Sequence, residues 1–451
     1  MTTRVLVPSG VLGLGFDSAA LTAGVALKPN IIAIDGGSTD SGPFYLGTGT
    51  SKYSRAACKS EWKALMQARE HAQVPLVITS CGTCGTDSMV DWMLEITREI
   101  AIELGLRVKV ATLYSEQSPE QVVEKFEQGK VQALLPEMPI DSESIASIDH
   151  IVALAGAEQI NACLSTGAEI VLAGRATDTA GISALPLARG EHQGAAWHGA
   201  KIAECGALCS TNPTSGVIAL EVDSDGFTVQ PLAKGARCTP HSVSAHMLYE
   251  NADPLNLYEP GGVLKVESAQ YESVDEYTVK VTGSQWVIEE RYTVKLEGAK
   301  AVGYQSTLMA ILRDAHYAKH AQRWVERLNA FVCAEISSRM QLSNTDYDIE
   351  FRLIGVDAAL GELETRRVTP TEVGVLVIVT AQTEEIADEI AKLMNPFLLH
   401  YPLSEHEELP TFAFPYSPAQ TNRGACYEFC LNHTMVLSDP MEAFRMEVHQ
   451  L

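Results

Sequence analysis

The sequence predicts an α/β protein: a mostly parallel sheet with helices on both faces, a β-rich insertion, and a small C-terminal α+β unit. Three observations carry this reading. Short apolar runs alternate with helical patterns as far as about residue 190, the signature of βαβ units. From about residue 215 the texture changes to the two-residue period of strands, and beyond about residue 345 strands and a helix follow one another again.

In the first region the clearest strands are Arg4–Val7, Ile31–Ile34, Leu76–Thr79, Val108–Leu113, Ile151–Ala153 and Ile170–Leu172. Helical spacing marks Ser60–Ala72, Met89–Leu104, Pro119–Gln128 and Ala157–Thr166. The β-rich segment, about 215–300, holds Val217–Val222, Phe227–Pro231, Tyr277–Thr282 and Arg291–Leu296, with Gly and Asp turns between them. A long helical region is expected from about Gln305 to Met340. A boundary at Ser343-Asn344-Thr345 then divides the chain into 1–344 and 345–451. The second part offers strands at Tyr347–Ile354 and Val373–Thr380, a helix at Glu384–Leu393, and two further strands at Phe412–Pro415 and Tyr427–Asn432.

Composition narrows the function. The 451 residues include 33 Lys+Arg and 57 Asp+Glu, a formal net charge of −24. Nucleic acid is a poor partner for such a chain, because phosphate backbones are bound largely through Lys and Arg. An anionic membrane surface is disfavoured for the same reason. A local pocket can still be basic, so a small anionic substrate stays open. No run of about 18 apolar residues suggests a membrane span, and the start, a strand entering Pro8-Ser9-Gly10, lacks the regions of a signal peptide. Ten cysteines are too dilute for a disulfide scaffold. The expected setting is the cytoplasm, and the expected assembly a homo-oligomer.

Several predicted strands run directly into Gly/Ser/Asp loops, and open α/β sheets bind ligands at the carboxyl ends of their strands. The first loop is Asp35-Gly-Gly-Ser-Thr-Asp40-Ser-Gly. Asp35 and Asp40 could ligate a divalent cation, trade protons or hold a hydroxyl group; alternatively Asp35 and Ser38 only cap the turn. The second is Ser80-Cys81-Gly82-Thr83-Cys84-Gly85-Thr86-Asp87, joining a buried strand to a helix. Its backbone N–H groups, with the Ser80, Thr83 and Thr86 hydroxyls and Gly82 and Gly85, could cradle a carboxylate or phosphate. No Walker A loop or strict G-x-G-x-x-G is present. Cys81 and Cys84 form a C-x-x-C that could be a redox pair, a zinc half-site or thiols in a small-residue loop, and Asp87 could be an N-cap.

The third loop, Ala173-Gly-Arg175-Ala-Thr-Asp178, places a cation and a carboxylate at another strand end. Arg175 can grip a carboxylate bidentately, or pair internally with Asp178. Three histidines, His198, His241 and His246, are candidate acid/base groups or structural imidazoles. Thr239-Pro240 reads as a helix start, and H-E-x-x-H zinc chemistry is absent. Lys295 and Glu297 share one side of a strand, as a proton-transfer pair or a salt bridge.

These words, in order, resemble the acyclic terpene utilisation (AtuA) family. The residues that carry the likeness are Asp35 to Gly47, Val90-Asp91-Trp92, Ala173-Gly174-Arg175 with Asp178, Glu204-Cys205-Gly206-Ala207, Cys238-Thr239-Pro240, Tyr249-Glu250-Asn251-Ala252-Asp253-Pro254, Glu259-Pro260-Gly261-Gly262 and Tyr292 to Gly298. The likeness spans roughly residues 4 to 310. It implies small-molecule catabolism and, for the last hundred residues or so, the small ferredoxin-fold domain that accompanies the family.

The leading expectation is a lyase or hydratase acting on a small hydroxy- or unsaturated carboxylic acid, or its CoA thioester. Arg175, Asp178 and the Ser80–Thr86 loop would hold the acid group. Asp35 or Asp40 would act as base or bind a divalent metal ion, and His246 or Lys295 would protonate the leaving oxygen. Two other classes stand beside it. One is an amide or ester hydrolase with a Cys81 or Cys84 nucleophile, although no G-x-S-x-G elbow is present. The other is a binding subunit whose partner supplies catalysis.

Overall fold

The computed structural model describes residues 2–249, 251–366, 368–410 and 412–451; Glu250, within the 249–254 word above, lies outside them. The chain forms two compact units, one of residues 1–300 with 429–451 and one of residues 301–428. The expected boundary near residue 345 therefore moves to Ala301, and the last residues belong to the first unit. The shift follows from the long strand Tyr292–Leu312, which carries the chain from one unit into the next where a helical region was expected. Its Ser306, Leu308, Ala310 and Leu312 are buried with less buried residues between them, a period of two that a helix cannot satisfy. Helices begin only at Ala315–Lys319 and Ala321–Met340.

The first unit is built on a mixed sheet of ten strands among the described residues. In spatial order they are Gln270–Ser273, Val279–Thr282, Gly226–Pro231, Ile218–Val222, Thr3–Val7, Ile31–Asp35, Leu76–Thr79, Ile170–Ala173, Lys109–Tyr114 and Arg445–Gln450. The middle five, from Thr3–Val7 to Lys109–Tyr114, pair in parallel. Every pairing outside them is antiparallel. The expected parallel sheet is thus a parallel centre with antiparallel flanks, one of which is the β-rich segment.

Alternation along the central strands divides their side chains between two cores. Val5, Val7, Ile31, Ala33 and Val77 face one core, shared with residues of helices Ala157–Ser165, Ala180–Ala188 and Gln193–Ala203. Leu6, Ile32, Ile34, Leu76 and Ile78 face the other, shared with helices Ser18–Ala26, Arg55–Ala72 and Asp87–Leu104. Burial on both faces explains why these strands read as unbroken apolar runs. Three of them are adjacent and parallel, so the loops after Asp35, Thr79 and Ala173 emerge at one edge.

In the second unit, residues 304–312 pair antiparallel with Val373–Ala381, which pairs antiparallel with Tyr347–Ile354. Helices Ala321–Met340 and Glu384–His400 supply Trp324, Leu328, Val332, Ile390, Met394 and Leu398 to its core. No helix among the described residues is long and apolar enough to cross a membrane.

Candidate active site

The three strand-end loops are tied together by backbone hydrogen bonds. The Gly36 N–H donates to the Thr79 carbonyl at 2.7 Å, Ser80 N–H to Gly174 O at 2.9 Å, and Arg175 N–H to Gly85 O at 2.9 Å. Gly85 has φ +64°, and a Cβ there would stand 2.2 Å from the Arg175 nitrogen. Glycine is therefore needed both for the left-handed backbone and for the close approach.

Above this edge opens a cleft of about 550 Å³, within the range of small-molecule sites. Asp35, Asp40, Thr83, Asp178, Glu204 and Cys205 line it, and Lys52 is its one cationic side chain among the described residues. Of the residues singled out from the sequence, then, Asp35, Asp40, Thr83 and Asp178 line the cleft. Ser80, Gly82, Gly85, Thr86, Arg175, His246 and Lys295 stand behind or away from it.

Arg175 shows why. It is 4% exposed, and its guanidinium is occupied by the protein itself. Nε donates to Glu297 Oε2 at 3.0 Å, and Nη1 to Ser80 Oγ at 3.1 Å, to Ala176 O at 3.0 Å and to Asp178 Oδ1 at 3.3 Å. The expected grip on a substrate carboxylate is replaced by an internal hub that fixes Asp178 and Ser80. Glu297 also accepts from Thr39 Oγ1 at 3.0 Å and from Lys295 Nζ at 3.2 Å. Lys295 is thus a salt-bridge partner and not a group facing the cleft. Glu297 reaches the hub because its strand pairs with His150–Ala153.

Much of the Ser80–Thr86 cradle is likewise occupied by the protein itself. The N–H groups of Ser80, Cys81, Thr83 and Gly85 go to carbonyls. At the helix start the Asp87 N–H donates to Glu116 Oε2 at 2.9 Å, so the anion that this N-terminus favours comes from the chain itself. Asp87 is the first helical residue and Thr86 the cap position. Gly82 lies against Met89, and the Thr86 hydroxyl pairs with Ser88 Oγ at 2.9 Å. The buried Thr83 Oγ1 has no protein partner. Cys81 and Cys84 are fully buried free thiols, both pushed up by burial. This is the opposite of what a nucleophile needs.

The electrostatics of the cleft are acidic. Asp35, 5% exposed, accepts from Thr79 Oγ1 at 3.1 Å. Burial and then the Asp178 charge raise its carboxyl well above the usual range, against the pull of Arg175. Glu204 terminates helix Gln193–Ala203 and takes a hydrogen bond from Lys201 one turn earlier. Burial raises it well above the ordinary carboxylate range despite Lys201, and Asp178 adds to the effect. Close by, Glu259 is pushed up to about 7 by burial. Thr179 Oγ1 donates to its Oε1 at 2.6 Å, while Oε2 is buried without a partner.

The histidines differ from expectation. Burial lowers His246 to about 4, with Lys201 contributing, which makes it a poor proton donor near neutrality. His198 is lowered to about 3 by burial and sits in the core, bonded to Ser284 Oγ at 2.7 Å and the Tyr271 hydroxyl at 3.2 Å; His241 is exposed. Asp35 and Asp40 line one cleft, but no third His, Cys or carboxylate ligand converges with them among the described residues; the group that does converge is Glu204, Cys205 and His246. Sequence reasoning assigned no role to Lys201, Glu204 or Glu259. In the structure helix Gln193–Ala203 is buried from Gly194 onward, so Lys201 and Glu204, three apart at its end, must pair or serve the site.

Fold and site define a mixed α/β protein with an acid-lined cleft at the carboxyl ends of parallel strands. Residues 47–413 match the family described as "Acyclic terpene utilisation family protein AtuA", and the chain belongs to that family. No curated protein and no solved structure matches it. Membership associates the chain with the catabolic use of acyclic terpenes.

Proposed function

We propose that the cleft adds or removes water across a carbon–carbon double bond of a small hydroxy- or unsaturated acyl substrate, as a hydro-lyase. The observation that carries this is that Asp35 and Asp178 both line the cleft and act on one another electrostatically. Asp35 is held toward its protonated form by burial and by its neighbour, and Asp178 is anchored by Arg175 at 3.3 Å. Two carboxyls in different environments are the arrangement by which one fold supplies both an acid and a base. Asp35 then donates its proton to the departing hydroxyl, and Asp178 takes the proton from the neighbouring carbon; hydration runs the same steps in reverse.

The cleft favours an acyl thioester over a free acid, because a carboxylate would meet the Asp178 side chain with Lys52 as the one cation lining the cleft among the described residues, whereas a thioester carbonyl is uncharged. Lys52 and the unpartnered Thr83 hydroxyl are the groups we assign to the acyl oxygen. The family name makes acyl groups of acyclic isoprenoid acids the first to assay. We read the second unit, whose longer elements run β-α-β-β-α-β, as ferredoxin-like.

The test is water addition or loss on a panel of hydroxyacyl and enoyl CoA thioesters and their free acids. Turnover of at least one thioester, reduced roughly 100-fold or more by Asp35→Asn, is the expected result. No turnover on any of them, or turnover indifferent to Asp35→Asn, would overturn the proposal.

A further inference from the structure

We infer that Glu204, Cys205 and His246 form a three-ligand site for a zinc-type divalent cation, with its open coordination position facing the cleft. One ligand atom from each residue lies within 4.8 Å of the other two, close enough for a single ion to bridge them after small side-chain rotations. The residues are brought together by packing of the short turn Gly206–Cys209 against helix Pro240–His246.

An independent observation points to a ligand. His246 is 5% exposed, and its Nε2 is buried without any hydrogen-bond partner. Buried polar atoms are almost always paired, so an unpaired imidazole nitrogen beside a carboxylate and a thiol calls for an occupant. The ring is held in place by stacking on Tyr249, with centroids 5.6 Å apart and planes 14° apart.

One nitrogen, one sulfur and one oxygen donor is the ligand mix of zinc sites; calcium and magnesium sites take oxygen alone. Three protein ligands with a fourth position left open is the form of a catalytic and not a structural zinc site. Glu204 and Cys205 both line the cleft, so water or a substrate oxygen can reach the ion. This places the ion apart from the Asp35/Asp40 pair favoured by sequence.

The inference shares the cleft with the proposed reaction but not its test, since metal affinity is read on the full chain without substrate. Chelator-stripped protein is titrated with zinc(II) by calorimetry and with cobalt(II) by absorbance. The expected result is about one ion per chain and a thiolate-to-cobalt charge-transfer band. Cys205→Ser should abolish the band, and His246→Gln should weaken zinc binding by roughly tenfold or more; Asp40→Asn should leave it unchanged. Absence of binding by the wild-type chain would overturn the site, whatever the variants do. So would a charge-transfer band that survives Cys205→Ser, or binding lost in Asp40→Asn and retained in His246→Gln.

Discussion

Arg175 and Glu297 are 122 positions apart in the chain, yet the guanidinium Nε donates to the carboxylate Oε2 at 3.0 Å, with the two side chains only 5% and 8% exposed. This pair is the pin behind the cleft. It ties the loop after strand Ile170–Ala173 to the long strand that starts at Tyr292, and through Nη1 it orients Asp178 and Ser80.

Breaking the pin should cost far more than removing it whole. Arg175→Met leaves a buried carboxylate with the Thr39 hydroxyl and the half-exposed Lys295, and a loss of about 3–5 kcal/mol is expected. The double change Arg175→Met/Glu297→Leu should lose clearly less. Glu297 is lowered to about 2, with Arg175 the main force against burial. Its contribution is therefore present above the unfolded carboxylate range and fades as pH falls toward 2. Urea unfolding of the three proteins at pH 7 and at pH 3 checks both statements.

Glu259 has the opposite sign. Burial lifts its carboxyl to about 7, so the folded chain holds a proton that the unfolded chain has released. Its stabilising share is complete below the unfolded value near 4.5 and is lost as pH climbs through 7, a change of about 3 kcal/mol. Glu259→Gln should flatten this limb and be relatively more stable than wild type at pH 8 than at pH 5. Parallel slopes in the two proteins would contradict it.

The thiols provide a chemical check. Cys81 and Cys84 are fully buried and pushed up by burial, whereas Cys205, Cys333, Cys426 and Cys430 are partly exposed. Iodoacetamide on the native protein, followed by peptide mass analysis, should modify the latter group and spare Cys81 and Cys84 until denaturant is added. Early labelling of either, with loss of turnover, would revive the nucleophile reading.

The sequence made the central strands legible because burial on both faces leaves no polar alternation to misread, and Leu76–Thr79 emerged with its ends intact. The sequence placed the loops carrying Asp35, Asp40, Thr83 and Asp178 at strand ends, and in the structure these four residues line one cleft. Other roles were hidden because they depend on distant partners. Nothing local says that Arg175 is consumed by Glu297, that Glu116 fills the helix N-terminus at Asp87, or that His246 meets Glu204. The helical reading of Gln305–Leu312 failed for a different reason: a half-buried strand with Thr, Met and Ala at its inner and outer positions is weakly marked by composition.

The account stands most directly on the protonation of Asp35, which infrared spectroscopy can read without a substrate. The difference spectrum between wild type and Asp35→Asn at neutral pH should contain the carbonyl stretch of a protonated carboxylic acid, present only in the wild-type chain. A difference spectrum showing instead the loss of an ionised carboxylate would mean that Asp35 holds no proton to give, and the cleft would not be the acid–base centre proposed for it.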